Sequence, residues 1–246
     1  MRASESRAGI TLRTVTDQAG VTDARGIFDA VWPPITGGTQ VPPNLFVALL
    51  HAGGYACVAY RDGVPVGATL GFLGDHGGVH IHSHMAGVLE AHRDHHIGTA
   101  MKLHQRAWCL DHGIDTVIWT FDPLVKRNAR LNICKLGVDV EGYEPDFYGE
   151  MPDSINAGDP SDRVFAVWRL TSDRVREAIA NGLPPVESAG LIVEIPDDIV
   201  ALRQQDPAAA QVWRMRVREL MMGAVADGLI VRGVDSEGNY VMGRDA

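Results

Sequence analysis

The sequence predicts an α/β fold with a small α/β appendage at its C-terminal end, and three observations carry that expectation. Tyr55–Tyr60 and Val64–Leu73 are apolar runs joined by Arg61-Asp62-Gly63, which reads as a β-hairpin turning on Asp-Gly. Val79–His112 reads as a strand that breaks into a short loop, His92–Gly98, and passes directly into a helix. After Thr171 the chain changes character, with breakers and short elements replacing the longer apolar runs.

Taken in order, Ile10–Val15 alternates as an opening strand, and Asp17 stands where a helix cap begins before the helix Val21–Val31. Trp32-Pro33-Pro34 stops that helix, because proline lacks the N–H donor and clashes with the preceding turn. Gly37-Gly38 and Pro42-Pro43 bracket a connection, after which Asn44 caps a helix over Leu45–His51. Beyond the hairpin, the helix from Ile97 places Ile97, Ala100, Met101, Ala107 and Trp108 at helical spacing. His104 shares that stripe and reads as a hydrogen-bonded core histidine, and Gly113 ends the helix. Ile114–Phe121 is a continuous apolar run suited to a strand buried on both faces. Asp122-Pro123 breaks it, and Val125–Leu136 reads as a helix closed by Gly137. Val138–Tyr143 and Arg163–Leu170 are two more strands, separated by the Pro/Gly/Asp-rich loop Glu144–Asp162, whose length suits a substrate-facing lid.

Ser172–Ala180 then forms a short polar helix, and Asn181-Gly182-Leu183-Pro184-Pro185 a linker. Strand Leu191–Ile195, a helix starting near Asp197-Asp198, an interruption at Pro207, a longer helix to Ala226 and strands Leu229–Gly233 and Asn239–Met242 follow. The expected organisation is a main domain over residues 1–170, a linker over 171–190 and an appendage over 191–246. So few strands bury little core alone, which points to packing on the main domain or on a partner chain, including a homodimer through the appendage.

At 246 residues the chain is long enough for a sizeable core. Its formal net charge of −9 argues against nonspecific binding to nucleic acid or acidic membranes and mildly favours a cationic substrate. The first fifteen residues hold no long apolar run, so neither a signal peptide nor a membrane anchor is expected. Cys57, Cys109 and Cys134 are widely spaced and set in apolar segments, as free thiols in a reducing cytoplasm are.

A strand, a tight turn and a helix N-terminus make an anion site, since unpaired N–H groups converge there and the helix dipole favours negative charge. The expected ligand of His92–Gly98 therefore carries phosphate. Arg93-x-x-His96-Ile97-Gly98 resembles the acyl-CoA pyrophosphate loop of GNAT-type N-acyltransferases, usually Gln/Arg-x-x-Gly-x-Gly/Ala, with His96 at the middle glycine. The order of strand, two helices, hairpin, strand and helix resembles the N-terminal half of that fold. Asn128-Ala129 to Lys135-Leu136-Gly137 resembles its Asn-x-x-Ala…Leu-Tyr-x-x-Leu-Gly-Phe helix, with Ile133 where the usual general-acid tyrosine stands. The strings HSHM, WTFDPL, DFYGE and PSDR look like those of a poorly characterised bacterial group of GNAT-related proteins with a C-terminal extension. That group brings no known substrate.

The resemblance implies a mixed sheet splayed between its fourth and fifth strands, flanked by helices, and acetyl-CoA or another acyl-CoA as co-substrate. It places the pyrophosphate on Arg93, Asp94, His95, His96, Ile97 and Gly98, with Asn128 on the cofactor side. The pantetheine arm would lie beside Ala86 and Val88, the amide of Val88 facing the acyl carbonyl. The implied acceptor is the amine of a small molecule.

His80, His82 and His84 alternate, so they share one face of their strand. Three readings stand for them: a proton-abstracting base, with His84 ranked before His82; one arm of a metal site completed by Asp122 or Glu90; and packed, hydrogen-bonded histidines. Asp122 reads as a base, an ammonium clamp or a helix cap. Tyr148 offers a phenol in place of the one missing at Ile133, with Cys134 a weaker substitute. Arg163 reads as a carboxylate-binding group or a surface ion pair.

Overall fold

The structure, a computed structural model, describes the chain apart from residues 1, 94, 152, 154, 157, 188, 189 and 246 and the side chains of residues 2 and 3. It divides into two compact units, residues 1–118 with 152–154, and residues 119–151 with 155–246. Hydrogen-bonded ladders give a mixed seven-stranded sheet, order β1-β2-β3-β4-β5-β7-β6, and a three-stranded sheet, order β8-β10-β9, over the strands defined below.

In the first unit a helix, α1 (Arg2–Ala8), precedes strand β1 (Thr11–Thr14). This helix is short and polar, so no apolar stripe announces it in the sequence; the Glu5 carboxylate ties it down by accepting from Leu12 N at 2.9 Å. Asp17 accepts from Gly20 N at 2.8 Å and caps α2 (Gln18–Val31), and α3 (Pro43–His51) carries its proline in the first turn. Strands β2 (Tyr55–Arg61) and β3 (Val64–Gly74) form the hairpin. Asp62 at φ 52° and Gly63 at φ 79° both take the left-handed backbone that a two-residue turn between twisted strands requires. Next come β4 (His80–Val88), α4 (Ile97–Asp111) and β5 (Thr116–Phe121), the last running from the first unit into the second.

Both faces of the first unit's strands are covered. On one, Phe28, Phe46, Ala56, Val58, Ala68 and Leu70 pack with α2 and α3. On the other, Tyr55, Cys57, Ala59 and Val66 meet Ile97, Ala100 and Met101 of α4. The strict alternation along β2 thus feeds two cores, which is why that strand reads as uniformly apolar. His104 is the expected core histidine, its Nδ1 2.8 Å from the buried Tyr55 hydroxyl.

The second unit begins with the end of β5 and continues with α5 (Lys126–Ala129), a π turn over Arg130–Lys135, β6 (Asp139–Glu144), β7 (Arg163–Arg169) and α6 (Asp173–Asn181). The helix expected over Val125–Leu136 is therefore divided: Leu136 N reaches back five residues to Leu131 O at 3.0 Å, a wider turn than an α-helix makes. Strands β8 (Leu191–Val193), β9 (Ile230–Val234) and β10 (Tyr240–Gly243) form the small sheet beside α7 (Ile199–Gln205) and α8 (Pro207–Ala226). The interruption expected at Pro207 separates the two helices: α7 ends at Gln205, Asp206 caps α8 through Ala209 N at 3.0 Å, and Pro207 takes its first turn, where a proline loses no helical bond. Among the described residues no helix is long and apolar enough to cross a membrane.

Candidate active site

The expected site residues fall into the two units. Those of β4 and the loop into α4 lie together in the first; Asp122, Asn128 and Tyr148 belong to the second. Asp94 lies outside the described residues.

Strand β4 is where the local geometry is least regular. Its register with β3 moves from Leu70↔Met85 to Gly71↔Ser83, so His84 is an extra residue, a β-bulge. Side-chain directions agree: Ser83 accepts from Lys102 Nζ of α4 at 2.8 Å, whereas Met85, two residues on, packs into the α2/α3 core on the opposite face. Gly71 permits the close approach, since a Cβ there would stand 2.7 Å from Ile81 Cγ2 and 3.0 Å from His82 O.

Leu89 N donates to Val66 O at 3.0 Å, and Val88 stands opposite Gly67. Alternate residues of an antiparallel strand turn their amides to opposite sides, so Ala86 and Val88 direct their backbone groups away from β3. On that side β4 pairs in parallel with β5 at Ile81↔Val117 and His82↔Ile118.

The three histidines separate into one anchored ring and one aromatic pair. His80 is buried, with Nδ1 donating to Gly78 O at 2.8 Å. His82 and His84 stand with ring centroids 6.1 Å apart, both against Phe72, at 5.0 Å and 5.6 Å. Burial, reinforced by His84, His80 and Lys102, pushes the His82 imidazole down to about 4. Burial also lowers His84. Both rings are therefore neutral near pH 7 and present a nitrogen lone pair. Among the described residues no three His, Cys, Asp or Glu side chains are grouped to hold a metal ion.

The loop after β4 makes a 3₁₀ turn, Glu90–His92, and Arg93 N closes it on Glu90 O at 3.1 Å. Arg93 also reaches Glu90 Oε1 at 3.7 Å, and His95 Nδ1 donates to Arg93 O at 2.7 Å. His96 is the N-cap of α4 and sits at φ 59°, ψ 12°, the left-handed conformation for which glycine is the default residue. Its side chain makes no capping hydrogen bond. Ile97 is buried and anchors the helix, while Gly98 leaves the first turn without a side chain. The first N–H groups of α4 open toward this loop, as they do at a helix N-terminus.

The second unit's candidates are bonded otherwise. Asp122 is buried and chelated: Oδ1 accepts from Arg214 Nη1 and Oδ2 from Arg214 Nη2, both at 2.9 Å, while Arg203 Nη2 also donates to Oδ2 and Leu124 N to Oδ1. Burial alone would raise this carboxyl, but Arg214 and Arg203 outweigh it and hold it well below the usual range. It caps the turn into Leu124 and serves as a counter-ion, and so ionised it is a poor proton acceptor. Asn128 is half-buried in α5. Tyr148 places its hydroxyl 3.0 Å from Thr120 Oγ1, and the Arg163 guanidinium lies 5.3 Å above its ring. Ile133 is buried in the π turn, so no hydroxyl stands at that position, and Cys134 is half-buried with its thiol raised by burial.

Sequence reasoning missed Phe72, Ser83 and Lys102. Lys102 is buried against Ser83 and Gln105 Oε1, and burial pushes its ammonium down to about 7. A lone lysine in a helix gives no signal of burial; its place on the stripe of Ile97, Met101 and Gln105 was the available cue.

Residues 25–131 match the model of the acetyltransferase (GNAT) family. No curated protein matches the chain. Among solved structures it is similar to Naa50 of Arabidopsis thaliana in complex with the bisubstrate analogue CoA-Ac-MVNAL, with TM-score 0.51 and 16% identity over 65% of this chain and 97% of that one. It is also similar to a GNAT-family acetyltransferase of Desulfovibrio desulfuricans, with TM-score 0.51 and 14% identity over 65% and 99%. The NatC complex bound to Gag peptide and CoA stands at TM-score 0.51 and 13% identity over 66% and 99%. The family match and the likeness of fold agree: residues 25–131 match the GNAT acetyltransferase family, and the chain shares the fold of GNAT acetyltransferases over 65% of its length.

Proposed function

We propose that the chain is a cytoplasmic N-acyltransferase that moves an acyl group, most simply acetyl, from acyl-CoA to the amine of a small molecule by direct transfer. The observation that carries this reading is the left-handed cap at His96. It keeps, with a non-glycine residue, the turn that aims the first N–H groups of α4 at one point. In this reading Arg93 through Gly98 receive the pyrophosphate largely on backbone amides, so the substitution of glycine by His96 leaves the cradle usable. Ala86 and Val88 receive the pantetheine arm and the thioester, because their backbone groups turn away from β3.

In the reaction the amine nitrogen attacks the thioester carbonyl carbon, and the oxygen gathers charge that the Val88 N–H stabilises. The C–S bond then breaks, the proton leaving nitrogen passes to the imidazole of His84 or His82, and the CoA sulfur leaves and is protonated. A neutral imidazole is the competent form for that transfer, which the lowered His82 and His84 provide. With Asp122 held by two guanidiniums, the proton is assigned to the histidines. Tyr148 is retained as the phenol nearest in role to the tyrosine absent at Ile133. The domain boundaries at 170 and 190, and a homodimer through residues 191–246, belong to the same proposal.

Calorimetric titration with acetyl-CoA, paired with a thiol-release assay over an amine panel, tests it. Binding together with turnover supports the reading. Binding without turnover across a wide panel points instead to a non-catalytic acyl-CoA module, which the buried Ile133 favours, and absence of binding overturns both.

A further inference from the structure

Lys102 stands on the second turn of α4, shortly after the His96 cap, and its side chain turns inward to β4. It is 6% exposed, and Nζ donates to Ser83 Oγ at 2.8 Å and to Gln105 Oε1 at 3.2 Å. Ser83 and Gln105 are buried as well, so the contact is closed to solvent. A helix residue that faces a sheet is ordinarily apolar, because desolvating an ammonium costs free energy, and burial indeed pushes Lys102 down to about 7. The ammonium and the free amine both carry N–H donors, so the bond to Ser83 outlasts the loss of that proton.

This lysine meets β4 where the strand is irregular. Ser83 pairs with Gly71 at the step where the β3–β4 register shifts, and His84 is the residue the shift leaves over. An extra residue in a bulge has no cross-strand partner, so the direction of its side chain follows from what holds its two neighbours. Met85 is held by the α2/α3 core, and Ser83 by Lys102. Gly71 offers no side chain to hold Ser83 from the facing strand. The same helix that supplies Lys102 carries the left-handed cap at its N-terminus, so one hydrogen bond ties the bulge to the cap.

We propose that Lys102, acting through Ser83, is a positioning residue for the acyl transfer: its bond sets the bulge at His84 against the cap at His96, and so sets where the base stands relative to bound acyl-CoA. This rests on the acyltransferase reading for the reaction, and on contacts within the first unit alone for the clasp. Lys102 and Ser83 move no proton of the substrate; they act through the placement of His84.

The test breaks the bond from each end, with Ser83→Ala and Lys102→Met in the full chain. With acetyl-CoA and an amine that the wild type acetylates, each variant lowers kcat about 10-fold while calorimetry gives an unchanged affinity for acetyl-CoA, since a small misplacement of a reacting group acts on the chemical step. The double variant is no slower than either single one, because both remove the same bond. Unchanged kcat in Ser83→Ala, equal losses in kcat and acetyl-CoA affinity, or losses that multiply in the double variant overturn the proposal. Should Lys102→Met fail to fold, Ser83→Ala, which removes a single oxygen atom, carries the test. A second arm needs no turnover: in Ser83→Ala the amides from Ser83 to Met85 exchange with solvent about 10-fold faster, the scale of one lost hydrogen bond, while those of β2 keep their rates. Unchanged exchange at the bulge, or an increase spread evenly over the first unit, overturns the clasp. Absence of turnover in the wild type removes the acyltransferase reading and leaves the exchange arm to decide the clasp.

Discussion

The β4–α4 segment of the first unit and the arginine–aspartate cluster of the second are built on opposite principles. The first is made of backbone and neutral rings: a bulge at His84, a left-handed cap at His96, and His82 and His84 kept neutral by burial. The second is made of side-chain charge, with Arg214 1% exposed and bonded to Asp122 and Asp159. The contrast teaches where each tolerates change. A backbone cradle survives the loss of a consensus side chain, because its N–H groups belong to every residue type except proline. A buried ion pair does not survive the loss of one partner, because the other is left desolvated and alone.

The largest expected effect tests the charged side of that comparison. Asp122→Asn removes the counter-ion of two buried guanidiniums and should cost about 3–5 kcal/mol of stability, read from urea unfolding. A loss under about 1 kcal/mol would show that Asp159 alone neutralises them. On the neutral side, His84→Ala should lower turnover about 100-fold, the scale of general-base catalysis, with acetyl-CoA affinity nearly unchanged. Equal losses in turnover and affinity would move His84 from chemistry to scaffold.

Lys102 gives a pH signature. Its folded-state value is near 7 against an ordinary 10.5, so across that window the unfolded chain holds a proton the folded chain has released. Stability should therefore rise between pH 7 and pH 10.5, and Lys102→Met should flatten the rise; an identical slope in the variant would remove Lys102 as its source. The smallest effect is at His96. Replacing it by glycine relieves the left-handed strain and should change stability by no more than about 1 kcal/mol, with acetyl-CoA binding kept. Weaker binding in His96→Gly would show that the imidazole itself meets the phosphate.

What the sequence disclosed follows the same divide. Period-2 histidines placed His82 and His84 side by side, Asp62-Gly63 marked the hairpin, and the Arg93–Gly98 spacing marked the loop, because each is a contact between near neighbours. The bulge at His84 was not legible: it depends on how Ser83 and Met85 meet two different helices, and HSHM alternates as well with it as without it. Asp122 read as a base, a clamp or a cap, and its real partner, Arg214, stands 92 residues away, beyond any local pattern.

If the turn at His96 cradles a pyrophosphate, acetyl-CoA and S-acetylpantetheine, which lacks that group, differ in affinity, and calorimetry of the full chain with each reads the difference. Acetyl-CoA is expected to bind about 10- to 100-fold more tightly, the contribution of one or two charge-assisted hydrogen bonds. Equal affinity for the two, or affinity for neither, would contradict it.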